Sequence, residues 1–359
     1  MQRNIIQGLK KFGGQLKENR EVFGATPILV VESALRVPKS TGKRAAKKEE
    51  PSQLSQHVQL LLGSSGLRST STRPSTDHFP FQEDVNQTAA FAQRLGASTI
   101  IGVGGTAALE LAKSVAQESS NFEELVLVPG TDGATLLTAT SHPLLTDPEQ
   151  NALIPGPASL RDDLGFHLVL PELNRSKTDP QLTAVYSSLV LGLDAIYRRD
   201  SDDKECITMI QSAATILEHV NDGSLGSVKD TEIQDLMLWA GSRMLFGVDS
   251  GSYRSIPLAL TCSLIPTTFS SYSFGDFMSC LLPGVLSLLE EKDEYKDLAL
   301  EISSRLGQHC PRLENLQGGA VSINALLAQV QTTADLWDCQ DAPDAQLEKV
   351  LSVSLESNR

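Results

Sequence analysis

At 359 residues the chain is longer than one hydrophobic core usually serves, so two domains are expected. Its 40% hydrophobic and 21% charged content suits a globular fold, and a net charge of −14 argues against general affinity for nucleic acid or an anionic membrane. The five cysteines (Cys206, Cys262, Cys280, Cys310 and Cys339) are odd in number and never in C-x-x-C spacing. That excludes a zinc knuckle or a disulfide frame and points to reduced thiols in the cytoplasm. No apolar run approaches the ~20 residues that span a bilayer.

The first twenty residues carry Arg3, Lys10, Lys11, Lys17 and Arg20, with Ile5, Ile6, Leu9 and Phe12 at helical spacing. Two readings fit: a mitochondrial presequence, or a first structural element leading into a strand. Residues 27–32 (PILVVE) form a short β-branched run, the shape of a buried parallel strand. Residues 38–56 are polar, and their lysines and arginine within 38–51 read as a basic docking loop or as a solvated insertion. A helical segment around 56–62 and a Ser/Thr/Pro stretch at 69–77 follow. Residues 84–95 place Val85, Ala89, Phe91, Ala92 and Leu95 on one side of a helix that Gly96 ends. Then come a strand at 99–103, a glycine turn, a helix at 107–116 and a strand at 125–128. Strands separated by helices predict a mostly parallel sheet covered by helices. Beyond about residue 180 the segments 182–197, 206–220, 230–246, 277–290, 294–306 and 322–334 are helical by period. The expected architecture is an α/β domain with a Rossmann-like sheet over 1–178, then an all-α domain over 179–359.

The run Ile100-Ile101-Gly102-Val103-Gly104-Gly105-Thr106-Ala107 passes from strand through glycine turn to helix. Glycines allow close backbone approach to a pyrophosphate, and the first N–H groups of the helix favour negative charge. The spacing is not G-x-G-x-x-G, so the segment is read as a structural turn or a phosphate-binding one. Glu32, ending the first strand, is placed as an acid that could bond an adenosine ribose hydroxyl.

These residues resemble the G-G-G-S-x-x-D-x-A-K signature of the iron-containing alcohol dehydrogenase family, which includes glycerol dehydrogenase, maleylacetate reductase and dehydroquinate synthase relatives. Gly104 and Gly105 match, and so do Ala112 and Lys113; Thr106, Ala107 and Glu110 stand for glycine, serine and aspartate. Val128-Pro129-Gly130-Thr131-Asp132-Gly133 resembles the start of the family's nicotinamide-side P-T-T-x-G-T-G-S-E segment. Asp179-Pro180-Gln181-Leu182-Thr183, Gly192-Leu193-Asp194-Ala195 and Leu281-Leu282-Pro283-Gly284-Val285-Leu286 resemble D-P-x-L-T, G-M-D-A and L-L-P-x-V-L, in the family's order. The resemblance implies a dehydroquinate-synthase-like fold, NAD or NADP contacted by Gly104, Gly105, Thr106, Ala107, Thr131, Gly133 and Glu32, a small-molecule substrate, and a dimer.

Family members hold iron or zinc with one aspartate and three histidines, the first pair as D-A-x-x-H so that both share a helix face. Here Asp194 is followed at i+4 by Arg198. The second histidine position falls on Pro257 or Leu260, and the P-H-G triplet is Ser273-Phe274-Gly275. The six histidines are His57, His78, His142, His167, His219 and His309, with none from 220 to 308, so no metal is expected. Asp194 and Arg198 would pair structurally or bind a polar substrate. His142 is a catalytic candidate or a surface loop residue. Three functions remain: an NAD(P)-dependent oxidoreductase on a small alcohol or carbonyl compound, a catalytically inactive relative that binds nucleotide or serves an assembly, and a dehydroquinate-synthase-like lyase. The third is disfavoured because its chemistry also needs a metal.

Overall fold

A computed structural model describes residues 3–24, 26–33, 52–76, 80–130, 144–146, 153–155, 161–172, 178–198, 204–221, 228–249, 255–264, 274–306, 327 and 344–356. The described chain divides into two compact units, one built from residues up to 130 with 144–146, 153–154 and 161–172, the other chiefly from 178 onward. The first is an α/β unit and the second is all helix.

The sheet of the first unit contains β1 (Arg3–Gln7), β2 (Ile28–Glu32), β3 (Ser69–Thr72), β4 (Thr99–Gly104), β5 (Glu124–Pro129) and β8 (Gly165–Leu170), in the spatial order β1-β8-β5-β4-β2-β3. Every pairing is parallel. A short ribbon of β6 (Leu144–Thr146) and β7 (Leu153–Pro155) is separate from it. β2 and β4 are buried along their whole length, as continuous β-branched runs between two helical layers require. The edge strand β3 is Ser-Thr-Ser-Thr and half exposed, which suits an edge that has no further partner to bury it.

Around the sheet lie α1 (Leu9–Glu18), α2 (Arg20–Gly24), α3 (Gln53–Ser64), α4 (Gln82–Leu95) and α5 (Thr106–Glu118). Leu9, Phe12 and Leu16 of α1 join Ile28, Val30, Ile101, Val103, Val126 and Val128 in one core. Ser52 caps α3 by accepting from the Ser55 N–H at 3.1 Å. At the start of α4 the Asp84 carboxylate accepts from the Phe81 N–H at 3.0 Å, and Gly96 closes the helix at φ 65. α5 is buried from Thr106 to Ala116, and its closeness to β4 is set by Gly102. A Cβ there would stand 2.9 Å from the Ala112 Cβ.

The helical unit comprises α6 (Thr178–Arg198), α7 (Lys204–Asn221), α8 (Asp230–Asp249), α9 (Ile256–Leu264), α10 (Phe274–Cys280), α11 (Leu282–Glu290), α12 (Lys296–Leu306) and α13 (Asp344–Glu356). α6 packs against α7, α8, α10 and α11. No helix among the described residues is long and apolar enough to cross a membrane.

Several elements differ from the sequence reading. Ile5 and Ile6 belong to a strand rather than to an amphipathic helix, and Ile5 is exposed. The stretch at 69–77 contains β3, and β1, β8, α9 and α13 are additional elements. The expected helix at 277–290 is two helices, because Pro283 starts a new one at its first turn. The expected helix at 322–334, apart from residue 327, and the basic loop at 38–51 lie outside the described residues.

Candidate functional site

The glycine turn lies at the carboxyl end of β4, between β2 and β5. Gly104 has φ +107, a conformation L side chains avoid, and its carbonyl accepts from the Gly130 N–H at 2.7 Å. Ser33, one residue past β2, packs on the turn: its N–H donates to the Val103 carbonyl at 3.2 Å, and its Oγ accepts from the Gly105 N–H at 2.6 Å. A Cβ on Gly104 would approach Ser33 Oγ to 2.8 Å. The two glycines therefore have a local structural reason. α5 starts at Thr106 with Gly105 at its cap in extended geometry, and Thr106 and Ala107 are both buried. The first N–H groups of a helix have no intrahelical acceptor, so those of Thr106 and Ala107 are the donors this turn offers an anion.

Further along the same helix, Lys113 Nζ lies 2.6 Å from Glu110 Oε1, with both side chains fully buried. Burial pushes the Lys113 amine below its usual range, while the Glu110 carboxylate opposes that shift.

Glu32 ends β2 opposite Val103 and is 3% exposed. Its Oε1 accepts from Arg73 Nε at 3.2 Å and Nη2 at 3.1 Å, and its Oε2 accepts from Gln59 Nε2 at 2.9 Å. The structure thus brings Gly104, Gly105, Thr106, Ala107 and Glu32 to the carboxyl ends of the neighbouring strands β4 and β2. Thr131, Gly133 and His142 lie outside the described residues.

In the helical unit Asp194 sits on α6, one turn before Arg198. Arg198 Nε donates to Asp194 Oδ1 at 3.1 Å, and the Ser255 hydroxyl and the Ile256 N–H donate to the same carboxylate. Asp194 therefore caps the start of α9 while holding Arg198. Burial pushes its carboxyl above the usual range; the Arg198 charge and those hydrogen bonds pull it back in part. Pro257 and Leu260, where the resemblance places a histidine, are buried on α9. Nearby, Lys292 Nζ donates to the Tyr197 carbonyl and lies 4.3 Å from its ring centroid, and Gln346 Nε2 donates to the Tyr197 hydroxyl at 2.9 Å. Burial and the charges of Glu291 and Asp194 raise the Tyr197 hydroxyl.

Sequence reasoning reached the Asp194–Arg198 pair from its i, i+4 spacing and missed the residues that complete both clusters. Ser33, Gln59, Arg73 and Ser255 carry no motif. Only Ser255 had a readable signal, a serine two positions before Pro257 at a helix start.

No family model matches the chain, and no curated protein matches it. Solved structures do. Maleylacetate reductase from Agrobacterium tumefaciens superposes with a TM-score of 0.65 at 16% identity, over 99% of this chain and 97% of its own. An iron-containing alcohol dehydrogenase from Corynebacterium glutamicum superposes at 0.64 and 15% identity, over 98% and 94%. This chain has the fold of the iron-containing alcohol dehydrogenases. Sulfoacetaldehyde reductase from Bifidobacterium kashiwanohense, solved in complex with NAD+, shares that fold at 0.64 and 13% identity, over 98% and 96%.

Proposed function

We propose that the protein is an NAD(P)-dependent oxidoreductase of the iron-type alcohol dehydrogenase kind, acting on a small alcohol or carbonyl compound without a metal ion. The observation that carries it is the turn at Gly104-Gly105, which opens α5 beside a strand ending in an acid. In dinucleotide-binding sheets that pairing receives the pyrophosphate on the helix start and the ribose at the neighbouring strand end. In this reading the α/β unit binds the nucleotide, and Thr131 and Gly133 are further candidates to contact it.

An iron or zinc ion does not fit the residues that replace the family's ligands. The one retained carboxylate, Asp194, already accepts from a guanidinium, a hydroxyl and a backbone N–H. The next position on its face is a permanent cation, and the α9 positions for a histidine are apolar. Arg198 carries the positive charge that a metal supplies elsewhere, and Asp194 fixes its plane. Reduction of a carbonyl compound then takes a hydride from the reduced nicotinamide and one proton, for which His142 is the donor candidate.

The second reading, a catalytically inactive relative that keeps nucleotide binding, is favoured by the same cluster. Asp194 and Arg198 satisfy each other and cap α9, a role complete without a substrate. One experiment separates the two: titrate the purified protein with NADH and NADPH by fluorescence, then assay turnover on alcohols and aldehydes with and without chelator. Turnover that survives the chelator supports the oxidoreductase. Binding without turnover supports the inactive relative, and turnover that requires added iron or zinc contradicts the metal-free site.

A further inference from the structure

Glu32 stands where a dinucleotide-binding sheet places its ribose-binding acid, yet the strand ends present a cation there. β2 is the immediate neighbour of the glycine-turn strand, with Val31 beside Gly102 and Glu32 beside Val103. In such sheets an acid at this place bonds the ribose 2′-hydroxyl, whereas an arginine nearby accommodates a 2′-phosphate. On its other side β2 pairs with β3, Val31 beside Thr72, so that Arg73 follows directly across from Glu32. Two Arg73 nitrogens engage one carboxylate oxygen and Gln59 engages the other. The Glu32 side chain is 4% exposed and that of Arg73 is 25% exposed, so the guanidinium, not the acid, meets solvent. Glu32 holds that plane in place, and its own charge is cancelled.

A groove of about 670 Å³ continues from Arg73 along α4 and contains a second guanidinium, Arg94, with Thr72, Gln87 and Thr88 as neutral polar lining. Its one acid, Asp84, is committed to the start of α4, accepting from Phe81 and Ser75. The local balance therefore favours an anion.

We infer that Arg73 reads the 2′-phosphate of the dinucleotide, so that the protein takes NADPH in preference to NADH; this rests on the dinucleotide reading proposed above. The carboxylate that would exclude the phosphate is instead the group that orients its donor.

The test titrates the full-length protein with NADPH and with NADH by nicotinamide fluorescence, in the wild type, Arg73→Ala, and the double variant Glu32→Gln/Arg73→Ala. The double variant leaves no buried carboxylate without its cation, so it guards against a folding defect. The expected result is tighter NADPH binding in the wild type. Both variants should weaken NADPH at least about tenfold, and Arg73→Ala should weaken NADH less than about twofold, the loss of a charge-assisted contact to one phosphate. Retained NADH binding then also reports an intact fold. Equal losses for the two dinucleotides, or unchanged NADPH binding, overturn the role of Arg73 and leave the dinucleotide reading standing. A wild type that binds neither overturns the dinucleotide reading itself.

Discussion

Two helices of this protein each carry an acid and a base about one turn apart, and the two pairs do different work. On α5, Glu110 and Lys113 are both shut away from solvent beneath the glycine turn. On α6, Asp194 is buried but Arg198 reaches the surface with its side chain 20% exposed. By the sequence resemblance, the first pair falls on an acid and a lysine of the family signature, and the second on an acid and a histidine. At the glycine turn the groups that could face an anion are backbone N–H groups, which Thr106 and Ala107 can supply as well as glycine and serine can. At Asp194 the chemistry belongs to side chains, and replacing a histidine with arginine turns a ligand into a cation.

Breaking the two pairs sharpens that comparison. The largest loss is expected from Lys113→Met, which strands Glu110 in the core and should cost about 4 kcal/mol by urea denaturation. Adding Glu110→Leu should recover most of it, because an apolar pair of similar volume replaces a buried ion pair well. Gly104→Val forces a β-branched residue into a positive φ against Ser33 and should cost about 3 kcal/mol, with nucleotide binding lost in parallel.

Arg198→Ala should cost less, about 2 kcal/mol, since Ser255 and Ile256 still solvate the Asp194 carboxylate. Asp194→Asn is the mildest, within about 1 kcal/mol at neutral pH. The pH dependence follows from the same burial. Asp194 titrates higher folded than unfolded, so the folded protein holds the proton longer. Stability should then fall as pH rises from the ordinary aspartate range to the raised value, and thermal melts of Asp194→Asn should lose that slope.

Much of this was readable before any coordinates. Buried β-branched runs and caps announced β2, β4, α4 and α5, and helical periods announced most of the second unit. What escaped in the sheet lacks an apolar period, whereas α9 and α13 were missed although Leu347, Val350 and Leu351 of α13 recur at helical spacing. β3 is Ser-Thr-Ser-Thr, and β8 is interrupted by His167, whose Nε2 lies 2.8 Å from Glu124. At the site, Gly104, Gly105, Asp194 and Arg198 are local in sequence and legible. Ser33 meets Gly105 across 72 positions and Arg73 meets Glu32 across 41, so only the sheet brings them together.

The central claim is that a metal-dehydrogenase fold persists here with an ion pair in place of the ion. Metal analysis by mass spectrometry, on protein expressed with iron and zinc supplied and purified without chelator, tests it most directly. The account predicts clearly substoichiometric metal, unchanged in Asp194→Asn. One iron or zinc per wild-type chain, lost in Asp194→Asn, would contradict it.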